Sequence, residues 1–212
     1  MLLAAYTDAE SMGPVSLARP LSLYRQARLE SMRVPENRRQ GIAAERLLEQ
    51  LLTQCRPSFA PPAEILTDES GKPQLAGEWG LSFNLSHSGR YAACVVADHP
   101  VGIDIQCVSS CRQAVVRRCF TREECAYLNS CPDRDRAFTQ LWAIKESYIK
   151  LIGRGLRHPM NAFSVTVLRD EAQASSQDAR FWFSDLEDAV LAVCVPTGRE
   201  PKPLRLQRID LP

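Results

Sequence analysis

At 212 residues, with 45% hydrophobic and 24% charged side chains, the chain is long and apolar enough to bury a real core, either as one large domain or as two small fused ones. Its 26 Lys and Arg balance 25 Asp and Glu, for a net charge of +1, which excludes a global basic field for nucleic acid and a polyacidic tail. Any charge that binds phosphate must therefore be local.

The opening "MLLAAYTDAE" has no cationic lead and too short an apolar run for a signal peptide or a membrane span, so a cytoplasmic protein is expected. In that compartment the eight cysteines are expected to be reduced. Five of them crowd at Cys107, Cys111, Cys119, Cys125 and Cys131, but without any C-x-x-C pair, and the three histidines lie elsewhere at 87, 99 and 158. Small buried hydrophobes describe these thiols better than zinc ligands do.

In chain order, residues 2–6, "LLAAY", read as a short buried strand. A helical stretch follows in "LSLYRQARLESM", with an imperfect stripe of Leu21, Tyr24, Leu29 and Met32. "NRRQGIAAERLLEQLLTQC" is a fuller helix pattern, carrying Ile42, Leu47, Leu48, Leu51 and Leu52 and a basic start at Arg38 and Arg39, and "RPSFAPPAE" ends it. "EILTDESGKPQL" reads as a hairpin around Gly71, and "LSFNLSHSGRYAACVVADH" as two strands joined through Ser88-Gly89-Arg90.

Residues 101–106, "VGIDIQ", form another strand, with Val101, Ile103 and Ile105 on one face and Gly102, Asp104 and Gln106 on the other. A helix near 110–119 is followed by one opened by Thr121 with Glu124 three residues on, a capping box. The 135–152 helix then runs to Gly153 and Gly155. Strands return in "AFSVTVL", "ARFWFSDL", "AVLAVCV" and "LRLQRI", while "EAQASSQDAR" reads as a polar loop. The class is α+β, with a half over residues 1–100 and another over 101–212.

Four places could carry chemistry. Glu146 and Lys150 stand at i and i+4, an order that supports an isolated helix by a few tenths of a kcal/mol; the same spacing puts a carboxylate and an ammonium on one face. Asp104 is either a solvated edge residue or, with Gln106 on its own face and Glu146 from the later helix, part of an all-oxygen site suited to Mg²⁺. In "FNLSHSGR", adjacent Ser86 and His87 point to opposite strand faces. That disfavours a nucleophile–base dyad but leaves hydroxyl, imidazole and backbone N–H groups for phosphate oxygens. Gly71-Lys72-Pro73 is a stiffened turn without the glycine spacing of a Walker loop.

Taken in order, Arg39 in "RRQGIAAERLL", "GKP", "FNLSHSGR", "VGIDIQ", "FTREE", "LWAIKESYIKLIGRGL" and "AFSVTV" resemble the surfactin-synthetase type of 4′-phosphopantetheinyl transferase, over about residues 38 to 168. The resemblance implies two pseudo-symmetric α+β halves with coenzyme A in the cleft between them. It implies Mg²⁺-dependent (or Mn²⁺-dependent) transfer of the phosphopantetheine arm to a serine of an apo acyl, peptidyl or aryl carrier protein, releasing adenosine 3′,5′-bisphosphate. By position, Asp104 and Glu146 would ligate the metal with Gln106, and Glu146 is also a candidate base for the carrier serine.

On the same resemblance, Lys150 would stabilise the pyrophosphate, Ser86 and His87 would meet coenzyme A phosphates, Arg39 or its neighbour Arg38 the 3′-phosphate, and Lys72 with Pro73 the adenine end. One departure stands out: Gln106 occupies the place where many relatives carry a second acidic residue. The expected protein works as a monomer without nucleic acid or membrane. Its alternatives are a coenzyme A-binding scaffold without transfer activity and a metal-dependent phosphohydrolase, the latter usually needing more ligands.

Overall fold

The computed structural model describes residues 1–153, 155, 158–168, 171–199 and 204–212. It divides into two compact units, Met1–Val101 with Pro201–Pro212, and Gly102–Glu200. Among the described residues no helix is long and apolar enough to cross a membrane.

The first unit is built on β1 (Leu2–Asp8), β4 (Ser82–Ser88), β5 (Tyr91–Ala97) and β11 (Leu206–Arg208), in the order β11-β1-β5-β4. β1 runs antiparallel to β5 and parallel to β11. The remaining elements are α1 (Pro14–Ala18), α2 (Leu23–Ser31), α3 (Pro35–Cys55) and a small hairpin of β2 (Ile65–Thr67) and β3 (Pro73–Leu75). Leu47, Leu48, Leu51 and Leu52 of α3 pack with Ala5, Phe83, Ala92, Cys94 and Val96 of the sheet in one core.

The charged face of α3, which an amphipathic reading sends to water, is buried instead. Glu45 and Arg46 are 0% and 1% exposed. Glu45 accepts from the backbone N–H and hydroxyl of Ser22, the α2 cap, at 2.7 and 2.8 Å. Arg46 donates to the carbonyls of Ser16 and Pro20 and to Glu49. The connection between α1 and α2 has carbonyls that no ladder satisfies, and a guanidinium supplies five donors in one fork.

The second unit contains β6 (Gly102–Cys107), α4 (Gln113–Cys119), α5 (Arg122–Ser130), α6 (Arg134–Ile152), β7 (Val165–Leu168), β8 (Glu171–Ala174), β9 (Ala179–Asp185) and β10 (Ala189–Pro196). Its antiparallel sheet has the order β6-β10-β9-β8-β7. Ala143, Ile144, Tyr148 and Ile149 of α6 pack onto Val190, Ala192 and Cys194 of β10. The expected capping box forms at Thr121 and Glu124, and Gly153 closes α6 at φ +68°, a conformation that only a residue without Cβ adopts freely.

The segment read as a polar loop at 171–180 begins with strand β8, because Ala172 and Ala174 alternate inward between β7 and β9. "LRLQRI" pairs with β1, so the last strand belongs to the first unit and not to a continuous half over 101–212. Its pairing depends on an edge far away in sequence, which composition does not reveal.

β6 is covered on both faces. Ala192 and Cys194 lie opposite Asp104 and Gly102, so the face bearing Gly102, Asp104 and Gln106 is the one on which α6 lies. A Cβ placed on Gly102 would fall 2.0 Å from the Ser147 carbonyl oxygen and 2.7 Å from the Leu151 nitrogen. Helix backbone therefore touches strand backbone there, and only hydrogen fits between. Gly102→Ala is expected to lose about 3 kcal/mol of unfolding free energy by urea titration, at the upper end of overpacking costs; a loss below about 1 kcal/mol would contradict this packing.

Candidate functional site

The close approach at Gly102 sets the neighbours on either side. Asp104, two residues along β6, faces α6 and is 5% exposed. Glu146 and Lys150 share one face of α6 with Trp142. The Lys150 Nζ donates to Asp104 Oδ1 at 2.7 Å, an ion pair from helix to strand. Glu146 stays close enough to feel both charges: burial first, then the Asp104 carboxylate, raise its pKa above the usual value, while Lys150 opposes the rise.

Gln106, on the same face and opposite Val190, is only partly covered. Among the described residues no three His, Cys, Asp or Glu side chains are arranged to hold a metal ion, and this includes the cysteine-rich stretch. The oxygen donors that do converge are two carboxylates, with an amide along the strand. The mutual repulsion of Asp104 and Glu146 in a poorly solvated setting is the kind a hard divalent cation relieves, so the donor set fits Mg²⁺ completed by ligand oxygens.

Glu146 opens on a cavity of about 620 Å³. Trp142 and Ile149 of α6, Val115, Arg118 and Cys119 of α4, and His158, Pro159 and Met160 also line it. Lys145, one residue before Glu146, is 0% exposed, and its Nζ donates to Glu124 Oε1 and to the Phe163 carbonyl, each at 2.7 Å. Burial lowers the Lys145 pKa and Glu124 opposes that shift. The sequence reading assigned these residues no joint role. The one available signal was that Lys145, a single position before Glu146, sits about 100° around the helix from it, on the side of the core.

The first unit holds the other expected residues. Ser86 is buried and His87 exposed on β4, so the strand alternation places them on opposite faces. Lys72 follows Gly71, whose φ is +84°, in a loop ordered by Asp68, which accepts from the N–H of Ser70 and of Lys72 at 2.9 Å. Lys72 is half-buried, which lowers its pKa against the pull of Asp68, and Pro73 opens β3. Arg39 gives its Nε–H to Ala9 O at 2.6 Å and its Nη2 to Glu10 O and Met12 O at 3.0 and 2.6 Å, while Arg38 donates to Leu29 O. Both arginines thus tie down chain turns, and Arg39 retains Nη1 for other acceptors. The structure brings Asp104, Glu146 and Lys150 together in the second unit, with Arg39, Lys72, Pro73, Ser86 and His87 all in the first.

The family model of the 4′-phosphopantetheinyl transferase superfamily matches residues 100–194. The 4′-phosphopantetheinyl transferase gsp of Aneurinibacillus migulanus is 39% identical over 98 residues, 45% of this chain and 40% of its own. Psf-1 of Bacillus pumilus, also a 4′-phosphopantetheinyl transferase, is 32% identical over 155 residues, 71% of this chain and 65% of its own. The 4′-phosphopantetheinyl transferase AcpT of Escherichia coli K12 is 31% identical over 145 residues, 66% of this chain and 70% of its own. The chain spans less than two thirds of the length of the first two.

The raised pKa of Glu146 has a signed consequence. A carboxyl that holds its proton more tightly when folded contributes stability fully below its unfolded value, about 4.3, and loses that contribution as pH rises through the raised folded value. In chelator-treated buffer near pH 8, Glu146→Gln is therefore expected to melt higher than the parent, with the gap closing as pH falls toward about 4. Thermal unfolding at the two pH values measures this, and an equal gap at both removes the assignment.

Proposed function

The chain belongs to the 4′-phosphopantetheinyl transferase superfamily, and on that premise we propose that it transfers the 4′-phosphopantetheine arm of coenzyme A to a serine hydroxyl of an apo carrier protein, releasing adenosine 3′,5′-bisphosphate. The observation that carries this reading is the convergence of Asp104, Glu146 and Lys150 where α6 meets β6. Support comes also from AcpT, which is similar over most of its length.

The chemistry is displacement at a pyrophosphate phosphorus: the serine oxygen forms the new P–O bond, the bond to the adenosine-bearing phosphate breaks, and the serine proton needs an acceptor. Asp104 and Glu146, with the Gln106 amide oxygen, would hold Mg²⁺, which when bound supplies charge neutralisation at the pyrophosphate. Without metal, burial and then Asp104 raise the proton affinity of Glu146, and beside the bound metal it would accept the serine proton directly or through water. Lys150, a mobile point charge partly open to solvent, would exchange its bond to Asp104 for phosphate oxygens and stabilise the departing group.

In the first unit, Ser86 and His87 would meet coenzyme A phosphates, Lys72 and Pro73 would border the adenine end, and Arg39 Nη1, which donates to no acceptor among the described residues, is the donor offered to the 3′-phosphate. Gln106 makes the donor set one charge poorer than a triad of carboxylates. Metal is then held weakly until the diphosphate adds its own oxygens.

Incubation with Mg²⁺, coenzyme A and several apo carrier proteins, each carrier read by intact mass, is expected to show the gain of one phosphopantetheine arm. Asp104→Ala and Glu146→Ala should each cut transfer by about a hundredfold or more while leaving a folded protein. Coenzyme A binding without transfer to any carrier would instead indicate a scaffold, and phosphate release without a carrier a hydrolase. Gln106→Glu is expected to bind Mg²⁺ more tightly than the parent in the absence of coenzyme A by calorimetry; unchanged affinity would discard the explanation given for Gln106.

A further inference from the structure

The buried pair of Glu124 and Lys145 does more than fill space. Lys145 Nζ has three N–H groups, and the structure accounts for their surroundings: Glu124 Oε1, the Phe163 carbonyl oxygen, and the Phe163 ring, whose centroid is 4.1 Å away. Glu124 in turn accepts from the Val165 N–H at Oε1 and from the Thr121 N–H at Oε2, each at 2.8 Å. Four places on the chain are thereby joined at one point: α6, the first turn of α5, and the backbone on either side of Ser164.

An ion pair of this kind is a poor source of net stability, since apolar groups of similar volume serve as well. What an apolar pair lacks is direction. The hydrogen bonds to Phe163 O and Val165 N–H fix where the chain leaves the turn at Met160–Ala162 and enters β7. That same chain supplies His158, Pro159 and Met160 to the cavity lining, which Trp142, Glu146 and Ile149 of α6 and Val115, Arg118 and Cys119 of α4 share.

We infer that Glu124 and Lys145 are positioning residues for the transfer, holding the wall at residues 158–163 at a set distance from the α6 face that carries Glu146. The inference rests on the transferase reading. Neither residue has to touch a substrate, because the pair acts through the width of the space in which the acceptor and the scissile phosphate meet Glu146. A misplacement of about an ångström is enough to slow a reaction severely while leaving binding elsewhere intact.

Glu124→Gln combined with Lys145→Leu replaces the pair by neutral side chains and adds no methionine. The double variant is expected to fold, with a Tm within about 5 °C of the parent. Its kcat for transfer should fall about tenfold, with KM for coenzyme A changed less than about twofold. In protein labelled at the methionine methyls, the Met160 signal should move while those of Met1, Met12 and Met32, all in the first unit, stay in place. A folded double variant with the parent kcat, or with an unmoved Met160 signal, overturns the inference.

Glu124→Asp, which shortens the arm by one methylene and keeps both charges, is the second variant. The same two signals should move to a smaller extent, and if neither does the inference falls. A parent protein that modifies no carrier overturns the transferase reading instead and leaves the Met160 shift to decide the matter of the pair.

Discussion

The backbone contact between α6 and β6 at Gly102 is the constraint on which the second unit depends. Where a Cβ would lie 2.0 Å from the Ser147 carbonyl, helix and strand cannot slide or separate without losing the fit. Asp104 follows Gly102 by one pleat, and Glu146 and Lys150 flank Ser147 along α6. The approach of two backbones therefore fixes the distances among three charged side chains, and the Lys150–Asp104 bond at 2.7 Å is its visible result. Rigid elements hold such a constellation better than loops do.

Charge in this protein is handled locally in both units. Arg25 pairs with Glu45 and Arg46 with Glu49 around α3, and Lys145 pairs with Glu124 in the second unit. These interior charges cancel in pairs, so the net charge of +1 conceals them. Composition records how many ionisable groups a chain has, not how many it has withdrawn from water. At Asp104, Glu146 and Lys150, by contrast, two carboxylates meet one ammonium on neighbouring elements.

Much of this was legible in the residues themselves. The 3.6-residue periodicity of α3 and α6, the alternation in "VGIDIQ" and the Thr121–Glu124 capping box are local signals, and the structure forms each of them. The order of motifs alone points to Asp104 and Glu146. What the residues could not disclose were pairings set at long range. Lys145 looks like any helical lysine until Glu124 and Phe163 arrive 21 and 18 residues away. β8 hides in a polar sequence because its two inward alanines are too small to mark a strand. "LRLQRI" gives no hint that its partner is β1, some two hundred residues earlier.

That last pairing gives the chain an order of assembly. The unit Gly102–Glu200 is contiguous, whereas the first unit is split around it and draws β11 from beyond. As the chain is synthesised, β1, β5 and β4 can form a three-stranded sheet, but one edge of β1 stays open until residue 206 has been made. The whole second unit must be produced during that interval. An open edge is a template for pairing with the wrong chain. The time taken to synthesise the intervening unit thus adds to the time for which that edge is open, a dependence of one unit on the other that arises from chain order alone.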